Sequence, residues 1–262
     1  MGCFFVEFMT KSERIESSDP SSRLLFDPAS QPEIKQPGAK SLAPHVLELD
    51  FIRQAFQRPV PWQVEPLFRH AFSTDPQALQ GLRHAAVFMP LVQRPQGVHV
   101  IFTRRADHLS DHAGQISFPG GCIEPADESD IAAALRETNE EIGISQEYIE
   151  LMGTHPSLIT TTRFSMLPVV GAVRPGFTIQ PDPGEVAEVF EVPLSVLMDP
   201  EKHRLHRAPI IGADQHYYSM TWESYFIWGA TAALIRNFYR FLAAAESRDQ
   251  RVPQSSGQVL FP

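Results

Sequence analysis

Gly120–Ile144 reads GGCIEPADESDIAAALRETNEEIGI, a glycine pair leading through a short polar turn into an acid-rich helical pattern. Pro125 and Asp127 open that pattern, with Asp127 as its N-cap. Glu128 and Asp130 fall in the first turn, where the positive end of the helix dipole favours carboxylates, and Gly143 follows the last periodic residue as a stop. These signals predict a helix from about Glu128 to Ile142.

At about 100° per residue, Ile131, Leu135, Thr138 and Ile142 share one stripe, while Glu137, Glu140 and Glu141 share another. The first stripe packs; the second gathers negative charge. Arg136 precedes Glu140 by one turn, at the i, i+4 spacing of an ion pair, and can fix that carboxylate in one rotamer. The patch lacks the interleaved lysines that neutralise an exposed helix, although a solvated acidic face is the alternative reading of the residues alone. Carboxylates crowded together raise one another's pKa, and a divalent cation reverses that penalty. An all-oxygen ligand set selects Mg²⁺ or Mn²⁺ over zinc and leaves coordination positions for water and phosphate oxygens, so the pattern points to phosphoryl chemistry.

The run resembles the signature of the Nudix hydrolases, which reads Gly, five residues, Glu, seven residues, Arg-Glu, apolar, any, Glu-Glu, any, Gly, apolar. Glu128, Arg136, Glu137, Glu140, Glu141, Gly143 and Ile144 match it in type and spacing. Two positions depart from it: six residues separate Gly121 from Glu128, and Thr138 stands where an apolar residue is expected. Upstream, Ile101-Phe102-Thr103-Arg104-Arg105-Ala106, Gly114 and Phe118-Pro119-Gly120-Gly121 are similar to the extended signature of the coenzyme A diphosphatase branch, where the extra residue before the glutamate is usual. Ser110 departs from the branch, whose pattern carries an arginine there.

The resemblance covers roughly residues 85–241. It implies an α/β/α sandwich around a mixed β-sheet. It also implies metal-dependent hydrolysis of the diphosphate of coenzyme A or its thioesters, giving 3′,5′-ADP and 4′-phosphopantetheine or its acyl form. Glu137, Glu140 and Glu141 would ligate Mg²⁺ or Mn²⁺, Arg136 would orient Glu140, and Glu128 would support the loop or a further metal. The general base would come from the helix, as Glu137, or from a later loop, as Glu185 or Glu188. Candidates for holding the substrate are Arg104, Arg105, His108 and His112, together with Gly120 and Gly121. Two other functions stay open. One is a Nudix pyrophosphatase for ADP-ribose, NADH or another nucleoside diphosphate derivative, which Ser110 keeps in view. The other is a non-catalytic nucleotide-binding Nudix regulator, against which stands the complete acid set.

The 262 residues are 43% hydrophobic, enough for one substantial core, and the formal charge of −9 argues against general affinity for nucleic acid. The resemblance implies a small-molecule diphosphate as the partner. Two cysteines, Cys3 and Cys122, are too few for a disulfide framework and suggest no bridge, which fits a reducing cytoplasm. No stretch approaches the length of apolar residues that crosses a bilayer, and the opening MGCFFVEFM, with Glu7 inside it, makes a poor signal peptide.

Residues 1–45 mix Ser, Pro and charges without a period and are expected to be disordered or loosely attached; 247–262 return to that composition as a flexible tail. Between them, 46–246 read as one domain. Ala85–Leu91 and Val98–Phe102 predict two strands joined at Arg94-Pro95-Gln96-Gly97. Strands are also expected at Ile116–Phe118, Ile149–Met152, Leu167–Val173, Val186–Val192 and His216–Met220. A second helix is expected over Trp228–Ala245, with Leu234, Ile235, Phe238 and Phe241 on a core stripe and Arg236, Asn237 and Arg240 facing away. A homodimer interface is the alternative reading of that stripe.

Overall fold

The strand Arg83–Arg94 is buried without a break from Ala85 to Val92, the pattern of a strand covered on both faces rather than one. Its side chains alternate between two cores. Ala85, Val87, Met89 and Leu91 join one apolar cluster, whereas Ala86, Phe88 and Val92 join another. The protein is described here from a computed structural model covering residues 27–109, 112–160, 163–210 and 213–251.

In chain order the elements are β1 (Glu33–Ile34), α1 (Leu49–Gln57), β2 (Phe72–Ser73), α2 (Pro76–Leu79), β3 (Arg83–Arg94), β4 (Gly97–Arg105), β5 (Ile116–Ser117) and β6 (Gly120–Cys122). There follow α3 (Asp130–Ile142), β7 (Ile149–Thr154), β8 (Ser157–Ile159), β9 (Phe164–Val173), β10 (Val186–Pro193), α4 (Leu194–Leu197), β11 (Arg204–Ile210), β12 (Ala213–Trp222), β13 (Tyr225–Trp228) and α5 (Gly229–Arg251). The main sheet runs β10-β4-β3-β9-β8-β2, with β5 on β4, β6 on β3 and β7 on β9. It is mixed, because β3 and β9 run parallel while β4 and β6 pair antiparallel with β3. A second sheet, β1-β11-β12-β13, is antiparallel. The core of α5 packs on the odd-numbered side of β3 and that of α3 on the even-numbered side, so the fold is an α/β/α sandwich around a mixed sheet.

The β3–β4 hairpin turns at Pro95-Gln96, where Gly97 takes φ +118, a conformation that side chains disfavour. The strands expected from sequence are present, several longer than expected: β9 starts at Phe164 and β12 at Ala213. Short strands such as β6, β8, β11 and β13 were not expected, since three to seven residues carry too little alternation to stand out.

Two expectations need correction. Residues 27–45 are attached: Glu33 and Ile34 pair with β11, the Ala43 amide donates to Glu246 Oε1 (3.1 Å), and Tyr239 Oη donates to the Lys40 carbonyl (2.6 Å). Residues 1–26 and 252–262 lie outside the described residues. In α5, Arg236 and Asn237 do not face water but are buried. The reason is the segment before β2, which covers their side of the helix. Glu65 Oε2 accepts from Arg236 Nε (2.8 Å), the Glu65 amide donates to Asn237 Oδ1 (2.8 Å), and the guanidinium lies over the Tyr218 and Tyr239 rings. A buried pair of this kind adds register more than net stability, since desolvation offsets much of the attraction.

His155 is fully enclosed by the rings of Phe56, Trp62, Phe238 and Phe241, and its Nε2 has no hydrogen-bond partner. Burial drives its pKa down from 6.5 to about 3, and His203 moves the same way to about 4, chiefly through burial. The unfolded chain therefore binds more protons below pH 6.5, so this contribution to stability is complete above pH 6.5 and is lost on acidification. At pH 5 the loss from His155 is about 2 kcal/mol. His155→Phe is expected to reduce the fall in melting temperature between pH 8 and pH 5 by roughly 5 °C. Equal falls in the two proteins, followed by circular dichroism, would contradict this.

Candidate active site

The acid helix is entered differently from the sequence expectation. Ser129, not Asp127, caps α3: its Oγ accepts from the Ala132 amide at 3.1 Å, and helical geometry begins at Asp130. Asp127 instead accepts from the Glu124 amide at 2.7 Å and turns its carboxylate toward Arg136. The far end is as the glycine signal predicts, with Gly143 left-handed at φ +76 and its amide on the Asn139 carbonyl (2.9 Å). Thr138 sits fully buried on the packing face, its hydroxyl donating to the Ala134 carbonyl at 2.6 Å.

Arg136 is the hub. Nε and Nη2 grip both oxygens of Asp127 at 2.9 and 3.0 Å, Nη2 also donates to the Cys122 carbonyl (3.1 Å), and Nη1 reaches Glu137 (3.0 Å) and Glu140 (2.8 Å). The i, i+4 pair with Glu140 is therefore present, but the strongest partner is Asp127, nine residues earlier. That contact holds the Asp127 carboxyl below its ordinary pKa.

The two glycines explain themselves sterically. A Cβ on Gly121 would stand 2.1 Å from the Glu137 carboxyl carbon, so only glycine leaves room for that carboxylate. A Cβ on Gly120, at φ +150, would strike the Ala86 carbonyl of β3, and the Gly120 amide donates to Glu141 Oε2 at 3.1 Å. Glu141 is almost wholly enclosed, and burial pushes its carboxyl up to about 8, with Glu137 and Glu185 adding to the rise while the Gly120 amide and Arg105 oppose it. Glu137 is also raised, first by burial, with Glu140 and Glu185 adding and Arg136 opposing.

Glu185 reaches this patch through the loop before β10. The Gln180 and Asp182 amides donate to the Ile142 and Glu141 carbonyls (both 3.0 Å), and the Glu185 amide donates back to Asp182. Glu188 does not reach it. Its carboxylate accepts from Tyr225 Oη (2.6 Å) and Arg104 Nε (3.3 Å), which hold it below its ordinary pKa. Arg104 is thereby turned to Glu188 and Asp107, whereas the charge of Arg105 acts on Glu141. His112 is at φ +59 with Nδ1 2.9 Å from Gln115 Oε1, and lines a cleft with Arg105. Glu128 and His108 are exposed, and Ser110 lies outside the described residues.

A divalent cation suits this chemistry: hard oxygen donors only, one of them buried with a raised proton affinity and a second carboxylate beside it. Glu137 and Glu141 are the side chains best situated to hold one. Among the described residues, however, no three His, Cys, Asp or Glu side chains converge closely enough to hold an ion as they lie. Arg136 draws Glu140 away and the Gly120 amide draws Glu141. Cys122, read as unbridged from sequence, is disulfide-bonded, its partner outside the described residues. Missed from sequence were Asp127 as the anchor of Arg136 and the aromatic residues of β13; no helical or strand period links either to the acid run. No helix among the described residues is long and apolar enough to cross a membrane.

Residues 82–212 match the family model described as NUDIX domain. The chain is 38% identical over 192 residues to the uncharacterized Nudix hydrolase NudL of Enterobacter sp. strain 638, covering 73% of this chain and 93% of that protein. It is 41% identical over 156 residues to NudL of Escherichia coli K12, covering 59% and 80%. A solved MutT/nudix family protein from Enterococcus faecalis superposes with a TM-score of 0.40 at 17% identity, over 74% of this chain and 69% of that one, which adds nothing to the sequence matches.

Gly121→Ala is expected to fold, since this glycine is not in the left-handed region, and to displace the Glu137 carboxylate. Mn²⁺ affinity, measured by electron paramagnetic resonance, should fall by about tenfold or more, the equivalent of about 1.4 kcal/mol. Unchanged Mn²⁺ binding in a folded variant would count against the position assigned to Glu137.

Proposed function

The chain belongs to the Nudix hydrolase family, enzymes that act on diphosphate bonds with divalent ions such as Mg²⁺ or Mn²⁺, and we propose that its substrate is coenzyme A or a coenzyme A thioester. Cleavage of the diphosphate would give 3′,5′-ADP and 4′-phosphopantetheine or its acyl form. The observation that carries the reading is the buried Glu141, its carboxyl pushed up to about 8, facing Glu137 and Glu185 with the cation Arg105 beside it. A polyanionic diphosphate and a carboxylate cluster repel each other unless cations lie between them. The specific substrate rests on the stretch resembling the coenzyme A diphosphatase branch, which forms β4 and the β5–β6 turn and so borders the acid helix.

Glu137 and Glu141 would hold the ion, and Glu140 and Glu128 would join only after leaving Arg136 and solvent respectively. When bound, the ion neutralises charge on the diphosphate and acidifies water for attack. Arg136 orients Glu137 and Glu140 and opposes part of the rise that burial gives Glu137. Arg105 offers its buried, unpartnered Nε to a phosphate oxygen. Glu185 takes the proton from the attacking water at its carboxylate; Glu188, held by Arg104 and Tyr225, is the weaker candidate.

Purified protein with Mg²⁺ or Mn²⁺ should convert coenzyme A to the two products, identified by mass, faster than it converts NADH or ADP-ribose. A preference for either of the latter would remove the coenzyme A assignment and leave a broader pyrophosphatase. Glu141→Gln is expected to lower kcat by on the order of 10³-fold with the fold intact. Near-normal turnover by that variant would remove the role given to Glu141.

A further inference from the structure

The loop Gln180-Pro181-Asp182-Pro183-Gly184-Glu185 leads directly into β10. Prolines on both sides of Asp182 fix φ at those positions and leave the loop few conformations to lose on folding. Its backbone is bonded at one end to α3 and at the other to the end of β4. At the first, the Gln180 and Asp182 amides donate to the Ile142 and Glu141 carbonyls, both at 3.0 Å. At the second, the Glu185 carbonyl accepts from the Ala106 amide at 2.9 Å, and Val186 pairs with Arg105 as β10 begins.

Asp182 closes the turn between these two anchors. Its carbonyl accepts from the Glu185 amide at 3.0 Å and the Val186 amide at 2.8 Å, and its Oδ1 accepts from the Gly184 amide at 2.8 Å. A side-chain oxygen bonded to the amide two residues on is a turn that aspartate or asparagine makes and alanine does not. One residue therefore uses its amide on Glu141, its carbonyl on Glu185 and its side chain on the glycine between. The Asp182 side chain is exposed, so alanine there removes the turn without opening a cavity. What the turn carries is a charge that the acid patch feels: Glu185 adds to the raised proton affinity of both Glu137 and Glu141. Misplacing a reacting group by about 1 Å can cost on the order of 10²-fold in rate.

We propose that Asp182 is a positioning residue for the reaction, its side chain closing the turn that sets the Glu185 carboxylate against α3. It acts through Glu185 and by geometry, with no part for its own charge. This rests on the reading of Glu185 as the group that takes the proton from the attacking water. A general base works only within hydrogen-bond reach of that proton, so loss of the turn acts on kcat and leaves KM nearly unchanged.

The test is a double-mutant cycle on the full chain with Mg²⁺, read on whichever of coenzyme A, NADH and ADP-ribose is turned over, with a melting curve to confirm that each variant folds. Glu185→Gln should lower kcat by about 10²-fold. Asp182→Ala should lower it by about tenfold with KM within about threefold, and Asp182→Asn, which keeps the accepting oxygen, should stay within about twofold of the wild type. Added to Glu185→Gln, Asp182→Ala should cost less than about twofold more, because a residue that acts through another is not additive with it. The assignment is overturned if Asp182→Ala has normal turnover, if it slows the Glu185→Gln protein as much as the wild type, or if asparagine behaves as alanine does. Hydrogen exchange gives a readout independent of turnover. The Gly184 and Glu185 amides should exchange about tenfold or more faster in Asp182→Ala and return to the wild-type rate in Asp182→Asn, and equal rates in all three proteins would overturn the assignment. Near-normal kcat in Glu185→Gln would remove the base and the positioning role together. Turnover of none of the three substrates would remove the diphosphatase reading and leave the exchange rates to decide the turn.

Discussion

One guanidinium, that of Arg136, joins oxygens from three stretches of chain: the Cys122 carbonyl at the end of β6, the Asp127 carboxylate in the following turn, and Glu137 and Glu140 on the helix itself. Arg suits this work because its planar fork can serve several acceptors at fixed angles, which an ammonium cannot. The contacts pin α3 against the Gly120-Gly121 turn, where the Ala86 carbonyl leaves Gly120 no room for a side chain and a side chain at Gly121 would displace Glu137. Backbone, cation and carboxylates are thus mutually dependent. Removal of the guanidinium would strand the Asp127 carboxylate, which is nearly enclosed, and an unpaired buried charge is among the most costly defects a fold can carry.

The same clamp concentrates negative charge where the protein tolerates it least. Glu141 is held by the Gly120 amide and feels two other carboxylates, Glu137 and Glu185. Such an arrangement is unfavourable by itself and is resolved by proton uptake or by a cation, which is why raised carboxyl pKa values collect at working sites. Arg105 relieves part of the repulsion.

Much of this was readable in the chain because it is local. The helix stop at Gly143, the Arg136–Glu140 pair, the buried Thr138 and the β3–β4 hairpin all follow from residues within a few positions of one another. The errors share a different cause. Asp127 fits the rule for a cap, yet an arginine two turns into the helix competes for it and Ser129 takes the capping role. Arg236 and Asn237 look like a solvent face until Glu65, more than 170 residues earlier, is folded over them. Glu185 and Glu188 are indistinguishable in sequence, and only the register of β10 against β4 sends the second to Arg104. Tertiary partners of this kind leave no period in the sequence.

The proposed chemistry depends on Glu137 and Glu141 forming the floor of a divalent-cation site. The direct measurement is an anomalous difference map from a crystal soaked in Mn²⁺. A cation held there gives a peak within coordination distance, about 2.0–2.2 Å, of oxygens from both Glu137 and Glu141. A map with full Mn²⁺ exchange in the solvent, no peak between those carboxylates, and Glu141 still bound to the Gly120 amide would contradict it.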